Sequence, residues 1–328
     1  MKSILGAGNA LTDIFTGLPD DSLLRESGFP TGSVRHIGTA DMERLLQALR
    51  TTDMRYVTGG CAANTVYGTA VLGMPSGFIG KVGNDFFGNL YRNDLRLHGI
   101  KACLMTGSTA SGTAVSIAVG DDPRRTLIVC PGAASELRPD DLKAELFHGY
   151  DYFHIEGYLA RNRDTFLKAV SLAKSAGCTI SLDLASYNAV EANGDFFHNI
   201  VKDYVDIVFA NETEAGIFTG TTSPKAAEII AGMCGIAVVK AGAKGSYIQS
   251  GDEFYHIEAC PADVKDTTGA GDLYASGFLY AHALGLPIRT CGEAGSIIAS
   301  KAVEVTGARI DPERWSSAKA EIKTLLHL

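Results

Sequence analysis

Through most of this chain, short apolar runs of strand length alternate with longer amphipathic stretches. That alternation narrows the fold more than any single motif does. Strands are read over 3–8, 77–82, 151–155, 179–182, 205–210 and 236–240. Helices are read over 62–72, 85–98, 164–176, 212–219, 270–284 and 287–305. Strand–helix alternation predicts an α/β fold with a doubly wound, mostly parallel sheet. Ligands of such sheets bind beyond the carboxyl ends of the strands. Two stretches break the rhythm, about 16–58 and 104–130. The first is rich in Gly, Pro and Ser and carries one modest helix over 42–49. The second alternates as strands over 113–119 and 126–129, around a turn at Gly120-Asp121-Asp122-Pro123. The two are expected to meet as a small β-lid. With no flexible linker and no internal repeat, residues 1–328 read as one domain.

Composition removes several function classes. Lys and Arg number 29 against 37 Asp and Glu, a formal net charge of −8. A nucleic-acid binder carries the opposite balance, and the Arg124-Arg125 pair reads as a solvated turn. A small anion held by backbone amides stays compatible with this charge. The seven cysteines are scattered, without C-x-x-C or zinc spacing, and fit reduced thiols in a cytoplasmic protein. No apolar run approaches the ~20 residues of a membrane span. The first residues, broken by Asn9 and Asp13, do not read as a secretory signal.

The strongest local motif is Asp266-Thr267-Thr268-Gly269-Ala270-Gly271-Asp272, followed by an apolar helix. Residues 269–271 have almost no side chain, so an anion can reach backbone N–H groups at a helix start. Asp272 sits beside that cradle, where a carboxylate can take a proton from an attacking hydroxyl. The local alternative is a Thr-capped helix start with glycine for packing. Gly59-Gly60-Cys61-Ala62-Ala63-Asn64 permits an unusual turn before a helix and presents an amide from its first turn, or simply starts that helix. Asn9, Leu11 and Asp13 follow the first strand, where a ligand is expected. Leu11 occupies the third glycine of the dinucleotide fingerprint, which argues against a nicotinamide-dependent oxidoreductase. Asn211-Glu212-Thr213-Glu214 reads either as a site for hydrated Mg²⁺ or, more simply, as a capped helix start. Lys240 to Gly245 reads as a turn under a nucleotide or as a plain hairpin. P-loop, H-E-x-x-H and G-x-S-x-G motifs are missing.

Taken together and in this order, these motifs resemble the ribokinase (PfkB-type) family of carbohydrate and nucleoside kinases, and within it the adenosine kinase branch. The resemblance covers nearly the whole chain. It implies an ATP-dependent phosphotransferase acting on a primary hydroxyl of an adenosine-like nucleoside or of a small sugar. It makes Asp272 the base, with the amides of Gly269, Ala270 and Gly271 as anion hole and the lid residue Arg125 on the phosphates. Asn9, Leu11, Asp13, Gly59, Gly60, Asn64, Glu156 and Tyr158 would hold the acceptor. Asn211, Lys240, Gly242, Gly245, Thr267 and Ser296 would line the nucleotide. Asn211 and Glu214 would organise Mg²⁺ through water, and Asp266 with Thr268 a monovalent cation such as K⁺. The implied partners are small molecules, with neither nucleic acid nor membrane, and the chain would be a monomer or a lid-mediated homodimer. Asp272, Asn64 and Glu214 together argue against a non-catalytic nucleotide sensor. Glu156 departs from the animal-type adenosine kinases, either as a hydroxyl ligand of the sugar-kinase kind or as a buried, paired carboxylate with a structural job.

Overall fold

A computed structural model describes residues 1–122 and 124–325 of the chain; Pro123, part of the expected lid turn, lies outside the described residues. The strands Ile4–Ala7, Ser76–Val82, Lys101–Thr106, Tyr152–Glu156, Thr179–Asp183, Ile207–Asn211 and Ile236–Lys240 pair in parallel. Ser246–Ser250 and Glu253–Ile257 extend this sheet antiparallel, for nine strands in all. Its first strand lies in the middle, between Tyr152–Glu156 and Ser76–Val82. The chain therefore winds outward in both directions from it, and the break in strand order beside it is where such a sheet opens a ligand crevice.

Helices cover both faces, so the central strands are apolar on both sides. One face packs against Cys61–Val71, Ala270–Ala283 and Ile288–Ala302. The other packs against Arg163–Ser175, Tyr187–Tyr204, Glu212–Thr219 and Ser223–Cys234. Along Tyr152–Glu156, Phe153 and Ile155 enter the second core while Tyr152 enters the first. The two-residue period of a strand puts His154 and Glu156 on the same face as Tyr152, and both are fully buried. That face thus carries polar groups toward the carboxyl end of the sheet. Among the described residues, no helix is long and apolar enough to cross a membrane.

A second sheet of five strands covers the crevice, in the order Val34–His36, Thr126–Cys130, Gly112–Val119, Leu11–Leu18, Met54–Gly59. It encloses its own small core around Ile14, Leu24, Val115, Ile117 and Ile128. The expected lid bounds need correction at both segments. The lid strand starts at Leu11, before residue 16, because it pairs with Gly112–Val119 from its first residue. Residues 104–106 belong to Lys101–Thr106, an edge strand of the large sheet reached through the positive-φ turn at Gly99. Tyr187–Tyr204, Ser223–Cys234 and Pro312–Leu325 are helices that the apolar pattern did not indicate. In the first of them, Asn193 interrupts the helix with a φ of −132°.

Candidate active site

The loop 266–269 delivers its helix into the crevice with the first turn open. Gly269 has a φ of 75°, and a Cβ there would collide with Ala308. The helix Ala270–Ala283 has no side-chain cap. Ala270 N bonds to Thr267 O, but the N–H groups of Gly271 and Asp272 meet no acceptor among the described residues. Two unpaired amides at a helix start, flanked by a glycine, can hold an anion in geometry and in charge. Lys240 adds a full positive charge, its ammonium resting against Gly271.

Asp272 lies in that first turn, only 9% exposed. Asn64 Nδ2 donates to its Oδ2 at 2.9 Å, and Thr65 Oγ1 donates to its carbonyl at 3.0 Å. The helix that carries Asn64 and Thr65 is thereby locked to the helix that carries Asp272. Burial pushes the Asp272 carboxyl up to about 8; Asp183 adds to the rise, and the Asn64 hydrogen bond and Lys240 oppose it. Once ionised, a carboxylate of that kind is a stronger base than an ordinary one.

Asp183 and Lys240 close the floor. Both stand at strand ends, and their side chains pair at 2.7 Å. Asn211 and Glu214 form a capping box: Glu214 N donates to Asn211 Oδ1 at 2.9 Å, and Asn211 N donates to Glu214 Oε2 at 2.8 Å. This is the simpler of the two sequence readings of that motif. The Glu214 carboxyl is nevertheless 3% exposed and is pushed up to about 7 by burial, with Asp183 raising it and Lys240 lowering it. It belongs electrostatically to the Asp272 cluster.

Where the Gly59-Gly60 turn meets the loop after the first strand, these glycines let two backbones approach. Gly60 has a φ of 99°, and a Cβ on it would strike Asn9 O. A Cβ on Gly59 would strike the Asp13 carboxylate. Asp13 faces the crevice from the lid strand; burial pushes it up to about 7 against the pull of Arg309. Leu11 packs beside it on Gly112. Tyr158 is half-buried on the 3₁₀ turn Gly157–Arg161. Asn9 and Tyr158 share a cavity of about 480 Å³ with Ser135, Arg138, Arg161 and Arg163.

Several expected roles change on inspection. Glu156 does not turn free oxygens to a ligand. Its Oε1 accepts from Asn9 N and Asn9 Nδ2, and its Oε2 from Ala62 N, each at 2.9 Å. It serves as the missing cap of the Cys61–Val71 helix and ties that helix to the loop after the first strand. Ser296 Oγ donates to Glu258 O at 2.9 Å and accepts from Cys260 N at 3.1 Å, so it braces a loop. Gly242 and Gly245 take positive φ in a tight turn, and a Cβ on Gly245 would strike Ile257 O, which is the hairpin reading. Lys240 pairs with Asp183 and rests its ammonium against Gly271. Thr267 is exposed at the mouth of the anion loop. Asp266 accepts from Thr268 N, Thr268 Oγ1 and Gly307 N at 3.0, 2.8 and 2.9 Å. Arg125 stacks over Phe15, its guanidinium 5.8 Å from the ring centre; against burial, the Thr268 and Gly307 hydrogen bonds hold the Asp266 carboxyl low, and the Arg125 charge adds to them.

Two residues at the site escaped the sequence reading. Asp183 had a signal, being an acid at the carboxyl end of a core strand whose end was placed one residue early. Arg309 had none, since all its partners are distant in sequence.

Comparison with known proteins gives the family and the fold. The family model for pfkB family carbohydrate kinases matches residues 37–315. An uncharacterised sugar kinase of Archaeoglobus fulgidus is 30% identical over 244 residues, 74% of this chain and 96% of that protein. A 5-dehydro-2-deoxygluconokinase of Bacillus licheniformis is 30% identical over 273 residues, 76% of this chain and 81% of that protein. The crystal structure of adenosine kinase from Sinorhizobium meliloti superposes with a TM-score of 0.86 at 29% identity, covering 98% of this chain and 99% of that one. The chain belongs to the pfkB family of carbohydrate kinases and is an ATP-dependent sugar or nucleoside kinase.

Proposed function

We propose that the chain transfers the γ-phosphoryl group of ATP to the primary hydroxyl of an adenosine-like nucleoside. The observation that carries this reading is the meeting of the Asp272 carboxylate with two free amides at the start of its own helix, beside the Lys240 ammonium. Asp272 takes the hydroxyl proton as the acceptor oxygen bonds to the γ-phosphorus. The bond from that phosphorus to the bridging oxygen breaks, and ADP leaves with the electron pair. The amides of Gly271 and Asp272 and the Lys240 ammonium stabilise the charge on the transferring group. Asp13 and the Gly59-Gly60 turn hold the sugar, and Tyr158 stacks on the base. Arg125 meets the phosphates from the lid.

Among the described residues, no three His, Cys, Asp or Glu side chains gather closely enough to cage a metal ion. Such a site suits Mg²⁺, which keeps several waters and binds chiefly to phosphates, with Glu214 and Asn211 orienting those waters. Bound Mg²⁺ would neutralise phosphate charge. The Asp266 carboxylate, already engaged by Thr268 and Gly307, supports a structural tie more than a K⁺ ligand.

A second reading has its own observation. Arg163 is held by Asn193 and Ala192, but Arg138 and Arg161 line the cavity next to Asn9 and Tyr158, and neither forms an ion pair among the described residues. An acceptor carrying a carboxylate, a sugar acid, would satisfy them, and the similarity to a 5-dehydro-2-deoxygluconokinase points the same way. ADP release from Mg-ATP distinguishes the two across adenosine, inosine, guanosine, cytidine, ribose, fructose and 2-keto-3-deoxygluconate. Turnover with a nucleoside supports the first reading, turnover confined to the sugar acid supports the second, and silence across the panel contradicts both.

A further inference from the structure

Arg309 lies in the loop between Ile288–Ala302 and Pro312–Leu325, with its side chain 17% exposed. The residues just before it hold the rest of the site. Arg55 of the lid donates to Thr306 O, Gly307 N donates to Asp266, and Ala308 packs on Gly269. The Arg309 guanidinium reaches inward from there. Its Nη1 donates to Asn64 Oδ1 at 3.0 Å, and its Nη2 donates to Thr58 Oγ1 at 2.6 Å and lies 3.4 Å from Asp94 Oδ2. The Thr58 hydroxyl proton goes to Asp94, which leaves a lone pair for Arg309. The guanidinium carbon stands 4.0 Å from the centre of the Tyr67 ring.

The chemistry of the donors then fixes Asn64. A side-chain amide can turn over and exchange its oxygen and nitrogen. Guanidinium is a donor on every nitrogen, so the Asn64 atom facing it must be the oxygen. The amino group is left to face Asp272. Were the amide reversed, an oxygen would meet the Asp272 carboxylate, an arrangement that only a protonated Asp272 could accept.

We propose that Arg309 is a positioning residue whose guanidinium orients the Asn64 amide to donate to Asp272, holding that carboxylate in its proton-accepting form. The proposal rests on the assignment of Asp272 as base. The other groups that face Asp272 are Asp183 and Lys240 from the sheet, Glu156 from its neighbouring strand and Cys61 from the Asn64 helix. Around Arg309 itself stand Asp94 and His98, Tyr67, and Asp13. Removing the guanidinium disturbs these too, so the test must read the base and not stability alone.

That test compares pH profiles of kcat, with thermal unfolding measured alongside, for Arg309→Met, Arg309→Lys and Asn64→Asp. For Arg309→Met, kcat is expected to fall about tenfold or more while the KM for ATP stays within about twofold, and the acid limb to move up about one pH unit. Arg309→Lys, which still offers a donor to Asn64 Oδ1, recovers part of kcat and returns the limb toward wild type. Asn64→Asp keeps a partner for Arg309 yet removes the donor to Asp272. It is expected to show the same upward limb even if Arg309→Met does not fold. A wild-type limb in either Arg309→Met or Asn64→Asp overturns the proposal, as does a kcat loss that only tracks the unfolded fraction. Normal turnover by Asp272→Asn would instead overturn the functional reading beneath it.

Discussion

Lys240 Nζ lies 2.7 Å from Asp183 Oδ2, although the strand Ile207–Asn211 runs between the two strands that carry them. The lysine crosses over the Phe209 ring to make this pair, with its ammonium 6.0 Å from the ring centre. One buried cation therefore faces Asp183, Glu214 and Asp272 together. Lys240→Met leaves those carboxyls without it. The loss of stability is expected to be about 3–5 kcal/mol, the usual cost of stranding one partner of a buried pair. Urea unfolding at pH 8 measures it. Adding Asp183→Asn to Lys240→Met should recover part of the loss.

Activity and stability are expected to run in opposite directions with pH. Asp272 must be ionised to accept a proton, and its carboxyl is pushed up to about 8. The kcat/KM of the free enzyme should therefore rise toward pH 8 and flatten above it. Asp13, Glu156 and Glu214 are likewise raised, each to about 7. A carboxyl raised on folding stabilises the fold fully below its unfolded value and loses that contribution as pH climbs through the folded one. His154, lowered to about 4 by burial, works the other way only below its ordinary 6.5. Between pH 6.5 and 8.5 the melting temperature of the ligand-free protein should fall while kcat/KM rises.

Glu156→Ala strands three N–H donors on Asn9 and Ala62 in a buried place. The cost is expected to be on the order of 3 kcal/mol. If Asn9 and the Gly60 turn hold the acceptor, as proposed, the KM for the acceptor should rise by a larger factor than the KM for ATP. Equal changes in both would argue that Glu156 serves the fold alone.

Gly269→Ala forces a Cβ against Ala308 at a positive φ. The anion loop must shift, and kcat should drop more than tenfold, on the order of what the loss of one oxyanion donor costs. Near-normal kcat in a folded variant would count against the amides as the anion site.

The sheet was legible because its strands are buried on both faces and so read as apolar runs. The strand Ile236–Lys240 and the helix Glu212–Thr219 lie at the bounds their pattern indicates. The lid was legible only in outline. Asp13 and Gly17 interrupt the apolar pattern of Leu11–Leu18, and nothing local marks where the crevice face of the lid begins. Asp272 and Asn64 were legible as separate motifs, but their hydrogen bond joins residues 208 positions apart. Glu156 read equally as a ligand or as a buried structural carboxylate, because a sequence shows a carboxylate and not the donors around it. Arg309 binds partners 215 to 251 positions away and stands in no local pattern, so only the fold reveals it.

The base assignment is tested most directly by Asp272→Asn, with Mg-ATP affinity and acceptor-dependent ADP release measured on the same preparation. The account expects nucleotide affinity within about twofold of wild type and turnover reduced by about a hundredfold or more, in the range that general-base catalysis contributes. Near-normal turnover with that affinity intact would contradict it.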